Sequence, residues 1–181
     1  MAVFITSDLH IGHDRDFLYS PRGFNNIYEH DLELVKNWNS RITDDDTVYI
    51  LGDIMLNDVE YGRNIFNQLA GSKIIILGNH DTDAKINFYP QLRGVIDVKY
   101  ADMLRVGKRH FYLSHYPMCI GCRKYLYNLC GHVHTKDKWL NWDDNQCYHV
   151  ELDAHNMSPI SINEIIEDIK IKLQTITKEE R

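Results

Sequence analysis

Short aliphatic, β-branched runs alternate with stretches of helical periodicity through the first half of the chain. AVFIT at 2–6, TVYIL at 47–51 and KIIIL at 73–77 are apolar at nearly every position, the pattern of strands buried on both faces. Between them, residues 31–41 set Leu34, Val35 and Trp38, with Ile42 beyond, on one helical face, and residues 59–70 do the same with Ile65, Phe66 and Leu69. Gly71 reads as the residue that closes the second helix. Strand, helix, strand, helix, strand predicts parallel βαβ units, whose strands present their carboxyl ends along one edge of the sheet.

After about Gly94 the spacing shortens. VIDVKY, DMLRV and HFYLSHY follow with Gly107 as a turn, which predicts antiparallel strands of a second sheet. Near the end, Ser161 and Glu164 make an S-x-x-E capping box, and Ile162, Ile165, Ile166, Ile169 and Leu173 form an apolar stripe. An amphipathic helix at about 161–174 is expected to pack on a sheet face. Beyond it, Thr175 to Arg181 read as a polar, frayed end. Residues 1–181 read as one domain.

The strands end abruptly in polar residues. AVFITSDLH ends in Asp8 and His10, TVYILGD in Asp53, KIIILGNHD in Asn79, His80 and Asp81, HFYLSHYP in His115, and YLYNLCGHVH in His132 and His134. If the strand ends share an edge, all five clusters converge there.

Composition narrows the setting. With 181 residues, 44% hydrophobic and 25% charged, the chain can bury a full core. It contains no apolar run long enough for a membrane span and no signal-peptide pattern at its start, so a cytoplasmic location away from membranes is expected. A formal charge of −6 argues against broad attraction to nucleic acid. The four cysteines, including Cys119 and Cys122 in CIGC, read as reduced structural thiols, since no second CxxC follows.

Carboxylate, amide oxygen and imidazole together suit divalent ions of intermediate hardness, such as Mn²⁺, Fe²⁺, Zn²⁺, Co²⁺ or Ni²⁺. Asp8, His10, Asp53, Asn79, His115, His132 and His134 exceed the needs of one ion. Two ions about 3.5–4 Å apart, sharing a carboxylate, would use them and leave positions open for water and substrate.

DLH at 8–10, GD at 52–53, GNHD at 78–81, the lone His115 and GHVH at 131–134 resemble, in order and in strand context, the motif set of the calcineurin-like metallophosphoesterases. The resemblance covers about residues 6–134. It implies an α/β fold, a four-layer α/β/β/α sandwich of two mixed sheets, with a dinuclear centre at the strand ends. Carried over by position, Asp8, His10 and His134 would hold one metal, Asn79, His115 and His132 the other, and Asp53 would bridge them. The implied activity is phosphoester hydrolysis by a metal-bridging hydroxide, with two divalent ions as cofactors and Mn²⁺ ahead of Fe, Zn, Co and Ni. In the family, the histidine matching His80 contacts the phosphate and assists the leaving group.

The residues themselves put His80 beside the second metal without requiring it as a ligand, so it is the expected proton donor, with Asp81 orienting its ring or raising its pKa. Gly78 is expected to let the chain turn sharply into the site. Arg22, or Arg15, is a candidate for pairing with non-bridging oxygens, and His13 for lining the cleft. The remaining histidines, His30, His110, His149 and His155, read as hydrogen-bonded structural ones. Substrate contacts are expected from loops 12–26, 55–61 and 120–126.

Family members acting on phosphoserine and phosphothreonine carry GDxxDRG, whereas this chain reads GDIMLND at 52–58. Small phosphomonoesters or phosphodiesters are therefore the expected substrates, with nucleic-acid fragments among them. A non-catalytic metal-binding scaffold of the same fold is the alternative. Apolar positions at 54–66 suggest a pairing surface for a homodimer. No GxSxG, HExxH, GxxxxGK[ST] or GxGxxG pattern supports another enzyme class.

Overall fold

The computed structural model describes residues 1–179. Along them run β1 (Val3–Thr6), α1 (Asp16–Tyr19), α2 (Ile27–Arg41), β2 (Thr47–Leu51), α3 (Val59–Phe66), β3 (Ser72–Ile76), α4 (Asp83–Phe88) and β4 (Val95–Lys99). There follow β5 (Asp102–Val106), β6 (Arg109–Leu113), β7 (Leu126–Cys130), α5 (Trp142–Asn145), β8 (Cys147–His149), β9 (Ile160–Ser161) and α6 (Ile162–Glu179). Two mixed sheets with flanking helices result, ordered β4-β3-β2-β1-β9 and β5-β6-β7-β8.

The period of two along each strand divides the first sheet between two cores. Phe4, Val48, Ile50 and Ile75 face α2 and α3, where Leu34, Trp38, Ile65 and Phe66 are buried. Trp38 also satisfies its indole by donating from Nε1 to the carbonyl of Ala70 at 3.0 Å. Ile5, Leu51 and Ile76 face the other way, onto Phe111, Leu113, Tyr127 and Leu129 of the second sheet. Ile162, Ile165, Ile166 and Ile169 of α6 complete this inter-sheet core. Fully burying each such aliphatic side chain is worth about 1.5–3 kcal/mol.

β1, β2 and β3 pair in parallel, as the βαβ pattern predicts. The hairpin of β5 and β6 is antiparallel as expected, but β4 is not part of it. VIDVK instead joins the first sheet, parallel to β3. The crossover that permits this is α4 followed by a 3₁₀ turn at Tyr89–Gln91, pieces too short to show a helical period.

α2 begins four residues before the expected start because Asn26 caps it, accepting from the Glu29 N–H at 2.9 Å. α3 stops at Phe66, and residues 67–70 form a turn. Gly71, at φ +86°, then leads into β3, where a side chain would meet the Asp46 carbonyl at 3.0 Å. The capping box forms, with Ser161 N–H donating to Glu164 Oε2 at 2.9 Å. α6 outlasts the expected 174 because Ile176 continues its stripe onto the inter-sheet core. The frayed end expected from Thr175 is thus helical to Glu179, and the last two residues lie outside the described ones.

The 54–66 segment does not offer the expected apolar surface. Ile54, Met55, Ile65 and Phe66 are core residues, and Val59 is the large apolar side chain it exposes. All four cysteines are free thiols, Cys119 and Cys122 exposed, Cys130 and Cys147 buried. Among the described residues, no helix is long and apolar enough to cross a membrane.

Candidate metal centre

Hydrogen bonds that continue past the strand ends hold the polar clusters in register. Asp8 N–H donates to Gly52 O at 3.0 Å, His10 N–H to Asp53 O at 2.9 Å, and Gly131 N–H to His115 O at 2.9 Å. Buried Leu9 and Ile11 anchor the first of these segments in the core. Asp8, His10, Asp53, His132 and His134 all adopt left-handed backbone, with φ between 50° and 76°. Such conformations cost about 1–3 kcal/mol each and persist where the surroundings enforce them, typically at functional sites.

The motif glycines make room for this crowding. A Cβ on Gly52 would meet His115 Nδ1 at 2.5 Å, one on Gly78 would meet Asp53 Oδ1 at 2.3 Å, and one on Gly131 would meet Asp8 Oδ2 at 2.3 Å. Each glycine lies beneath a polar residue from another strand. Gly78, expected to provide a sharp turn, has no positive φ and is needed instead for this close approach.

All seven candidate ligands come together. His10 Nε2 lies 3.1 Å from His134 Nε2, 3.8 Å from Asp8 Oδ1 and 3.7 Å from Asp53 Oδ2. On the other side, His115 Nε2 lies 3.6 Å from Asp53 Oδ2, 2.8 Å from Asn79 Oδ1 and 3.2 Å from His132 Nδ1. Two groups of atoms are close enough to hold an ion, Asp8 with His10 and His134, and Asp8 with Asp53 and His115. Asp8 belongs to both groups. Each of the two carboxylates accepts a backbone N–H at 2.9 Å on one oxygen, Asp8 Oδ2 from His132 and Asp53 Oδ1 from His80, and Asp53 Oδ2 stands between His10 and His115 at nearly equal distances.

The donor set fits cations. His115 Nδ1 bonds the carbonyl of Leu51 at 2.8 Å, and a carbonyl only accepts, so in the neutral ring the Nε2 lone pair faces the centre. His134 Nδ1 likewise faces the Asp153 carboxylate at 3.2 Å. Asp8 Oδ1 is buried without a partner beside the 3.1 Å approach of His10 Nε2 to His134 Nε2. A cation would satisfy that carboxylate oxygen.

Protonation follows the same logic. Burial raises Asp8, but His10, His134 and His115 outweigh it and hold the carboxyl at about 2. Burial lowers His10 to about 4 despite Asp8, so its ring is neutral at pH 7. Burial raises Asp53 in spite of His115 and the His80 N–H, and repulsion from Asp8 and Asp81 adds to the rise. Its anion is the member of the set that most needs positive charge nearby.

His80 reaches the centre from the open side. Its backbone N–H donates to Asp53 Oδ1 at 2.9 Å, while its ring, 43% exposed, brings Nε2 to 3.9 Å from Asp53 Oδ2. Asp81 does not orient that ring. Its Oδ2 accepts from the N–H groups of Gly78 at 2.7 Å and Asp53 at 3.0 Å, and its Oδ1 from the Tyr89 hydroxyl. The expected catalytic partner is instead a buried brace joining two motif loops. Lys85 pins the same loop, donating to the carbonyls of His80 at 2.9 Å and Met55 at 2.6 Å.

Arg22 is likewise not free for a phosphate. Its side chain is 1% exposed and grips Asp153 with Nε at 3.0 Å and Nη2 at 2.7 Å. Nη2 also donates to the Asp8 carbonyl, and Nη1 to His30 Nε2, whose ring is bound on its other side by Asp31. Asp153 in turn faces His134, so Asp31, His30, Arg22 and Asp153 form one buried chain ending at a candidate ligand. Asp153 was invisible in the sequence, because ELDAH carries no strand-end pattern and its partner lies 131 residues away.

His13 does line the cleft, its Nδ1 3.2 Å from His10 Nδ1. The cleft, of about 500 Å³, is lined by His10, Asp53, Asn79, His80, His132, His134 and Asp153. His13, Phe17, Leu18 and Pro21 complete the lining. Among the described residues, loop 12–26 alone of the three expected loops contributes to it.

Comparison with known proteins adds a family. The model for calcineurin-like phosphoesterases matches residues 1–174. The chain is 31% identical to the Gene 66 protein of Mycobacterium phage D29, covering 93% of this chain and 97% of that protein. It is 38% identical over 81 residues to an uncharacterized protein of Methanocaldococcus jannaschii, 44% of this chain, and so spans under half, 46%, of that relative. A solved protein of unknown function from Aquifex aeolicus shares the fold, with a TM-score of 0.73 at 22% identity over 92% of this chain and 98% of that one.

Proposed function

The chain belongs to the calcineurin-like phosphoesterase family, and from that premise we propose that it hydrolyses phosphodiesters or small phosphomonoesters at a dinuclear metal centre. The observation that supports this most is the position of Asp53 Oδ2, 3.7 Å from His10 Nε2 and 3.6 Å from His115 Nε2, between two sets of candidate ligands. In this reading Asp8, His10 and His134 would hold one ion, Asn79, His115 and His132 would hold the other, and Asp53 would serve both. When bound, two divalent cations, Mn²⁺ foremost, supply Lewis acidity toward phosphoryl oxygens and activate water at neutral pH.

The chain's own residues do the rest. Asn79 contributes a neutral oxygen, so its ion keeps more of its charge. His80 Nε2 gives a proton to the departing ester oxygen, from a ring whose position is set by the backbone bond to Asp53 Oδ1. His13, beside His10, lines the cleft that would take the ester. Arg22 does not touch substrate; through Asp153 it orients His134.

The test is hydrolysis of bis(p-nitrophenyl) phosphate and p-nitrophenyl phosphate by protein stripped with chelator and reloaded with Mn²⁺. Activity is expected to vanish on stripping and return on reloading, and the ratio of the two rates assigns diester or monoester preference. Two bound ions with no turnover of either ester would favour the non-catalytic scaffold.

A further inference from the structure

The part of the cleft lined by residues 13–21 has an unusual chemistry for a phosphate site. Phe17, on α1, is 72% exposed, and its ring stands edge-on to His13 with centroids 5.7 Å apart. Leu18 and Pro21 line the same part of the cleft. One exposed phenylalanine is ordinary, but this one stands in the cleft that holds the candidate centre.

Charge adds an independent constraint. Among the described residues lining this cleft there is no lysine or arginine, and Arg22 beside it is committed to Asp153. The adjoining cleft, past Asn79 and His115, is lined by Tyr100, Tyr116 and Met118 together with Asp81 and Asp83, again without a lysine or arginine. Within these two clefts, phosphates beyond the one at the centre would find carboxylates and apolar rings in place of lysine or arginine; Lys136 lies in a separate groove past Pro21 and Asp153.

With phosphoester hydrolysis as the premise, we propose that the substrate bears a single phosphoryl group attached to a planar aromatic moiety, which packs on Phe17 between His13 and Pro21. The shared chemistry is a flat π-face, as in an aryl or a nucleoside ester, and oligophosphates are disfavoured. Stacking on one aromatic side chain is worth about 5- to 150-fold in affinity.

Calorimetric titration of the Mn²⁺-reloaded protein with phosphonates, whose P–C bond is not hydrolysed, tests this without turnover. Two pairs of ligands differ mainly in the ring: phenylphosphonate against methylphosphonate, and the 5′-methylenephosphonate analogue of adenosine 5′-monophosphate against that of ribose 5-phosphate. Phenylphosphonate is expected to bind at least about 10-fold more tightly than methylphosphonate. A similar margin in the second pair identifies the ring as a nucleobase, and its absence an aryl group. In Phe17→Ala the margin is expected to collapse to about twofold, while Phe17→Tyr retains it and both variants bind two ions. Equal binding within both pairs, or a margin that survives Phe17→Ala, overturns the proposal but leaves the hydrolase reading standing. Failure of all four ligands to bind protein carrying two ions overturns both.

Discussion

Replacing His80 with alanine is expected to lower kcat by about 10²- to 10⁴-fold on a diester with an alkoxide leaving group, the usual contribution of a positioned general acid. Two ions should stay bound. The link between His80 and Asp53 runs through the backbone N–H, which alanine keeps, and the ring itself makes no bond as short as those among the seven candidate ligands. With p-nitrophenolate, which departs without a proton, the loss should be much smaller. Steady-state rates on both ester types, with metal content recorded, measure the difference. An equal loss on both would mean that His80 acts on phosphoryl charge and not as a proton donor.

The second large effect lies behind the centre. Asp153→Ala leaves the Arg22 guanidinium buried with a carbonyl, His30 and, at 3.4 Å, His134 Nδ1 as its remaining partners, and breaking one side of a buried pair costs about 3–5 kcal/mol. The same change releases His134 Nδ1, and loss of such an orienting partner weakens metal binding by about 10- to 100-fold. The two consequences separate in the double variant Arg22→Met/Asp153→Leu. An apolar pair of similar volume should recover most of the stability, but not the affinity of the first ion. Urea denaturation reads the first quantity and calorimetric metal titration the second. Full recovery of affinity in the double variant would show that Asp153 braces the fold without orienting His134.

The sequence was most legible where chemistry restricts residue type. Ligands must be carboxylate, amide or imidazole, and parallel strands must deliver them to one edge, so Asp8, His10, Asp53, Asn79, His115, His132 and His134 stood out at strand ends and do converge. Direction was less legible than identity. Asp81 adjoins His80 in sequence, but its side chain turns inward to two backbone N–H groups. Arg22 looked like a free phosphate ligand because nothing local announced Asp153. The left-handed backbone at Asp8, His10, Asp53, His132 and His134 leaves no mark in residue type, since none is glycine. In the fold, the long buried strands were read correctly, whereas β4 was assigned to the wrong sheet because α4, six residues long, hides its crossover.

Anomalous diffraction from crystals of the Mn²⁺-loaded protein bears most directly on the dinuclear reading. The account predicts two peaks about 3.5–4 Å apart, one among Asp8, His10 and His134, the other among Asn79, His115 and His132, with Asp53 Oδ2 between them. A single peak, or two peaks joined by Asp8 with Asp53 on one side, would contradict it.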